Sequence, residues 1–260
     1  MNELKKCIGI ISYLPDITNY RLRRISKLNS LMQQLNKLWP NIDILIITQN
    51  WRGYKLPDIA NKIIQIDYPD KLGILKARQV LRDEFLKLDY EYLIWMDDDC
   101  QIECDTETAH LDYIAEIDKH PNGFCFIHSN NHWHHHDDMA RGPMNLFAIC
   151  RELIENEPLV EVYLEKFEAM EDDLYVEYIW HKYPECVFNP PTTIRHTNSF
   201  KYMYVFQYAK PDVSPTTWFT NLGRVNFKQI WHNTNYVIEC YEAGEFNLEK
   251  IKENKSKWRQ

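Results

Sequence analysis

The chain has 260 residues, 45% of them hydrophobic and 26% charged, with a formal net charge of −8. That is apolar material enough for one sizeable α/β core, and the acidic balance argues against a nonspecific electrostatic grip on nucleic acid. Only 7 Gly are present, and no Pro-, Gly- or Ser-rich tract or internal repeat marks a linker, so residues 1–260 are expected to form a single domain, with 1–129 and 130–260 as its two halves.

The charged opening MNELKK leads into an apolar run that is stopped by Pro15 and Asp16. The run is too short to span a membrane and lacks a small-residue cleavage site, so 6–14 is predicted as a first buried strand of a cytoplasmic chain with no transmembrane segment. Residues 21–39 carry Leu22, Ile25, Leu28, Leu31, Met32, Leu35 and Leu38 at helical spacing before Pro40. Strands are predicted at 42–48, 62–66 and 90–96, with a helix over 72–88 between the last two. Beyond them come a helix at 106–119, a strand at 123–129 and a polar His-rich loop at 130–142. Alternating strands and helices imply an α/β fold, a mostly parallel sheet with helices on both faces. Ligands of such sheets bind beyond the carboxyl ends of the strands.

The seven cysteines are scattered singly; Cys100 and Cys104 lie closest, without a zinc-ribbon spacing. In apolar surroundings they read as small hydrophobes of a reducing compartment.

The segment Tyr92-Leu93-Ile94-Trp95-Met96-Asp97-Asp98-Asp99 sets three carboxylates at the end of an apolar strand. Adjacent carboxylates repel, and oxygen ligands of this kind suit Mg²⁺ or Mn²⁺. A helix N-cap or a solvated turn is the alternative reading. Further on, Glu171-Asp172-Asp173 precedes a helical pattern, where either a dipole-stabilised cap or a proton acceptor fits. His132, His134, His135 and His136 crowd one loop beside Asp137 and Asp138 and read as solvated rather than as a zinc site, whereas His196 follows the second acidic cluster, with His232 as a reserve.

In this order, the motifs resemble those of GT-A glycosyltransferases, the family 2-like branch with many inverting enzymes in particular. The resemblance runs from about Lys6 to Ser199. It rests on a strand, a long helix, a second strand, the Gly73-Ile74-Leu75-Lys76-Ala77-Arg78 helix, the Asp-x-Asp strand end at Asp97-Asp98-Asp99 and the later Glu-Asp pair. It implies a GT-A (Rossmann-like) sheet with a C-terminal acceptor-side extension, and a nucleotide-sugar donor, a UDP-sugar first, held with Mn²⁺ or Mg²⁺. Ser12, Tyr13, Arg78, Asp97 and Asp98 are then expected at the nucleotide, with Lys71 or Lys76 nearby. Asp97, Asp99 and His196 would hold the metal, and Asp172, beside Glu171, would be the general base, with Asp173 as its substitute. The segment from Gly142 to Arg151 resembles the one that lies against donor and acceptor. Two departures are Met170, where the family pattern more often has Gly before the Glu-Asp pair, and the second strand, which ends Thr48-Gln49-Asn50 where many relatives carry an acid.

The expected acceptor is a glycan or lipooligosaccharide; modified (hydroxymethylated or glucosylated) DNA bases, as for a phage enzyme, are a second acceptor, against which the net charge speaks. A nucleotide-sugar nucleotidyltransferase would share the acidic ligands, but its Gly-rich basic loop is missing at Ser12-Tyr13-Leu14-Pro15-Asp16. A noncatalytic binding module is the remaining alternative. Trp218, Phe219, Trp231, Tyr236 and Tyr241 in the tail read first as core aromatics, and the basic end as a solvated helix.

Overall fold

The computed structural model describes residues 3–14, 16, 18–126, 128–129, 146–156, 183–188, 191 and 193–198. Strand β1 (Lys6–Tyr13) is apolar and buried almost throughout, and helix α1 (Thr18–Leu38) follows it. The helix turns Leu28, Leu31, Met32 and Leu35 inward, all fully buried. Each such side chain contributes on the order of 1.5–3 kcal/mol through burial. The helix stops before Pro40, and its neighbour Trp39 donates its indole N–H to the carbonyl of His110, 3.0 Å away.

Strands β2 (Asp43–Gln49) and β3 (Ile63–Tyr68), helix α2 (Ile74–Leu86) and strand β4 (Tyr92–Asp97) continue the alternation. Next come β5 (Cys100–Cys104), α3 (Ala109–Lys119), β6 (Phe124–Phe126), β7 (His128–Ser129), β8 (Leu146–Cys150), α4 (Arg151–Asn156) and β9 (Ile194–Asn198). The large sheet has the order β3-β2-β1-β4-β8-β6; β3, β2, β1 and β4 pair in parallel, and β8 runs antiparallel to both its neighbours. This is the mostly parallel α/β sheet that the sequence predicts.

Close packing constrains two glycines. A Cβ on Gly9 would lie 2.7 Å from a Leu93 methyl and 3.0 Å from one of Leu81, so the bare backbone lets α2 approach β1 and β4. A Cβ on Gly123 would lie 2.6 Å from the ring of Phe188, itself stacked on His120 with centroids 4.2 Å apart. At the start of β1 the ammonium of Lys6, 3% exposed, is held 2.5 Å from Asp118 on α3, and the Leu4 N–H donates to the same oxygen at 2.9 Å. These bonds fasten α3 to the amino-terminal edge of the sheet.

A second sheet of order β5-β9-β7 is built from short strands, with β5 antiparallel to β9. The predicted strand at 123–129 is thus two strands, β6 in the large sheet and β7 in the small one. Strands β5, β8 and β9 were not among the predicted elements. Five residues give too few alternations for a period of two to show, and β8, buried at every position, gives none. By its internal contacts the chain divides into two compact units, 1–158 with 185–200 and 159–184 with 201–260. Nearly all of the second unit lies outside the described residues. No described helix is long and apolar enough to cross a membrane. The described cysteines are all free, and burial pushes the Cys7 thiol up to about 12 and that of Cys150 up to about 11.

Candidate active site

The carboxyl ends of β1, β2 and β4 lie side by side, since Ile11 pairs with Asp97 and Ser12 with Thr48. Asp97 closes β4 with its side chain 23% exposed, and Asp98 and Asp99 form a two-residue link straight into β5. The next element is a strand, so the three acids do not cap a helix. Nor do they form a solvated turn, because Asp98 and Asp99 are only 4% and 3% exposed.

Each carboxylate has a different environment. Both oxygens of Asp98 are engaged: Ser12 donates its hydroxyl to one at 2.6 Å and Arg24 donates from its guanidinium to the other at 2.6 Å. Asp97 faces Arg78, whose Nη2 stands 3.9 Å away. Among the described residues, one buried oxygen of Asp99, Oδ1, has no hydrogen-bond partner. Burial pushes its carboxyl well above the ordinary carboxylate range; Asp98 and Asp97 push it further, and Arg24 opposes them.

Arg78 is 1% exposed and so is no ordinary charge on a helix surface. Helix α2 turns it inward beside Ala77 and Leu81, over the ring of Trp95 at 5.8 Å, and Trp95 stacks on Phe147 with centroids 5.5 Å apart. A guanidinium tolerates such a place because its flat face packs on aromatic rings while its edge reaches a carboxylate. Gly73, at φ 87°, turns the chain into this helix, and the backbone N–H of Leu72 is received by the Gln49 side chain at 2.8 Å.

Tyr13 ends β1, with the Lys71 ammonium 5.5 Å from its ring centre; burial, then Asp16, raises its phenol pKa. Lys76 is exposed. Asn50, at φ 58°, donates to the Leu14 carbonyl and to Asp16, both at 2.8 Å, and its own carbonyl receives Arg21 at 2.6 Å. The end of β2 thus ties down the loop that follows β1.

His196 lies on β9 opposite Ile102, two residues from Asn198, which pairs with Cys100 next to Asp99. Its side chain is outside the described residues, as are Glu171, Asp172, Asp173, the His132–His136 loop and His232. At the end of the Gly142 to Arg151 segment, Leu146 pairs with Met96 at the acidic edge, while Cys150 pairs with Tyr92 at the opposite edge. Arg151 therefore sits away from the acids, donating to the carbonyls of Leu86 at 2.6 Å and Leu88 at 2.7 Å.

The role of Arg24 is absent from the sequence reading. Its signal was its position, four residues before Leu28 on the apolar face of α1, where a charge is out of place unless it has a partner. Gln34, three turns along, donates to the Ile102 carbonyl at 2.5 Å and accepts its N–H at 2.8 Å, which braces β5 just after the acids.

The residues present fit a hard divalent cation. Among the described residues the Asp99 Oδ1 has no hydrogen-bond partner, and Asp97, two positions before it, keeps its side chain 23% exposed. Among the described residues no three His, Cys, Asp or Glu side chains form a complete metal-binding group. Two carboxylates suit Mg²⁺ or Mn²⁺, which commonly take their remaining ligands from water and substrate phosphates.

No protein-family model and no curated protein sequence matches the chain. Similar solved structures include residues 1–349 of TarS from S. aureus in complex with UDP-GlcNAc, at 12% identity and a TM-score of 0.53, covering 90% of this chain and 70% of that one. A protein from Desulfovibrio desulfuricans described as a nucleotide-diphospho-sugar transferase is 11% identical with a TM-score of 0.44, covering 92% and 98%. A glycosyltransferase involved in glycosylation of the major capsid of PBCV-1 is 13% identical with a TM-score of 0.42, covering 75% and 93%. The first likeness shows the fold alone: the chain has the GT-A fold.

Proposed function

We propose that the chain is a glycosyltransferase that takes a sugar from a nucleotide-diphosphate donor, a UDP-sugar first, and passes it with inversion to a glycan or lipooligosaccharide hydroxyl. The observation that carries this is the buried acidic end of β4, at the carboxyl edge of a GT-A sheet, with an Asp99 oxygen that has no hydrogen-bond partner among the described residues. The TarS structure supports the choice of UDP, since that protein was crystallised with UDP-GlcNAc.

In this reading Asp97 and Asp99 hold Mn²⁺ or Mg²⁺, His196 completes their side of the ligand set, and Ser12, Tyr13 and Arg78 border the nucleotide. Asp98, spent on Ser12 and Arg24, shapes the site from behind. A divalent ion bound there offsets the charge that gathers on the departing diphosphate. A sugar hydroxyl is a weak nucleophile, and Asp172, with Glu171 beside it, takes its proton as the new C–O bond forms and the bond to the diphosphate breaks. The assignment of Asp172 and Glu171 rests on the family resemblance.

The test is a thermal-shift screen of UDP-, GDP-, CMP- and dTDP-sugars, each with Mn²⁺ and with EDTA. A donor that binds the native state raises its melting temperature, by an amount equivalent to about 2.7 kcal/mol at 100 times its Kd. Stabilisation by one donor in Mn²⁺ and not in EDTA is expected, and no shift with any donor would sink the reading. With the donor known, Asp172→Asn is expected to keep that shift and lose transfer by about 10²-fold or more; transfer at the wild-type rate would remove Asp172 from the mechanism.

A further inference from the structure

Helix α1 engages the acidic turn at two points. Arg24, 9% exposed, places its Nη2 2.6 Å from Asp98 Oδ1, and the other oxygen of that carboxylate takes the Ser12 hydroxyl at 2.6 Å. Ten residues along the same helix, Gln34 bonds both the N–H and the carbonyl of Ile102. The segment from Asp98 to Ile102 is therefore held from one side by a single helix. The charge of the middle acid of the three is balanced by Arg24. Asp97 lies 3.9 Å from the Arg78 guanidinium, and among the described residues Asp99 Oδ1 has no hydrogen-bond partner.

We propose that Arg24, assisted by Ser12, is a positioning residue of the cation site: by clamping Asp98 it sets the turn so that Asp97 and Asp99 offer their oxygens to one divalent ion. The inference rests on the reading of the acidic end as a cation site. Outer partners of this kind are worth 10- to 100-fold in metal affinity elsewhere. A guanidinium that merely stabilised the fold would leave metal affinity unchanged in the folded variant.

The experiment is Mn²⁺ binding to the full chain, read from the electron paramagnetic resonance signal of free Mn²⁺, with thermal melts to establish that each variant is folded. Arg24→Met is expected to weaken Mn²⁺ binding at least tenfold. Arg24→Lys, which keeps the charge and a donor, is expected within about threefold of wild type, a loss of roughly one neutral hydrogen bond. Ser12→Ala leaves the ion pair in place and is expected to weaken binding about threefold; it decides the matter should Arg24→Met fail to fold. Arg24→Met binding Mn²⁺ within twofold of wild type, or Ser12→Ala binding unchanged where Arg24→Met is unfolded, would overturn the proposal while the cation reading stands. A wild-type chain that holds no Mn²⁺ would overturn both, a failure visible without any variant.

Discussion

Asp99 is 3% exposed, one of its carboxyl oxygens has no hydrogen-bond partner among the described residues, and two further acids precede it. Burial, with Asp98 and Asp97, raises its pKa in the folded chain. The folded state then binds that proton more tightly than the unfolded chain, whose carboxyl titrates near about 3.9. The stability contributed by this proton is full below that range and is lost as pH climbs through the raised folded value. The metal-free chain thus carries a penalty at neutral pH that a bound cation would relieve, a common feature of sites built for function over stability. Asp99→Asn is accordingly expected to raise the melting temperature in EDTA, more at pH 8 than at pH 5, by about 2–4 °C for each kcal/mol relieved. It is also expected to abolish the response to Mn²⁺. Melts at the two pH values check this, and a variant no more stable than wild type at pH 8 would show that Asp99 carries no such penalty.

Among the elements, α2 shows how the two edges of the sheet divide structure from chemistry. Its start, at Gly73, and the buried Arg78 serve the acidic edge, while its end is closed by Arg151, which donates to Leu86 and Leu88 and lies over the Phe85 ring at 5.8 Å. The last carbonyls of a helix have no partners within it, and a cation there meets the negative end of the helix dipole. Arg151→Ala is expected to cost about 1–3 kcal/mol through the carbonyls it strands. The urea midpoint should fall at unchanged m, while the donor-induced thermal shift is retained. Loss of that shift in a folded variant would mean that Arg151 reaches the donor after all. The long periodic elements were legible in the sequence, because α1 and α2 repeat their apolar residues over several turns and β1, β2 and β4 are continuous apolar runs. Short strands such as β5 and β9 were not, since their pairing is set by residues nearly a hundred positions away. The acidic edge was legible from three carboxylates ending an apolar strand. The partition of roles among them was not, because it depends on Arg24, which pairs with Asp98 across 74 residues of chain.

At the scale of the molecule, the charge of −8 speaks against the DNA acceptor of the two classes that the motifs leave open. An enzyme that works on duplex DNA must first bind a polyanion, and most of that affinity comes from lysines and arginines displacing counterions from phosphates. The 30 Lys and Arg here are outnumbered by 38 Asp and Glu, and part of the basic complement is already committed: Arg24 to Asp98, Lys6 to Asp118 and Arg151 to the end of α2. A long-range field of this sign slows the approach of DNA and leaves a neutral or weakly charged glycan unaffected. The chain is therefore expected to show no binding to duplex DNA in fluorescence anisotropy at about 50 mM salt and micromolar protein, the regime where nonspecific binders are still retained. Binding that weakens linearly in log K against log salt would reveal a local basic groove and favour modified bases over glycans as the proposed acceptor.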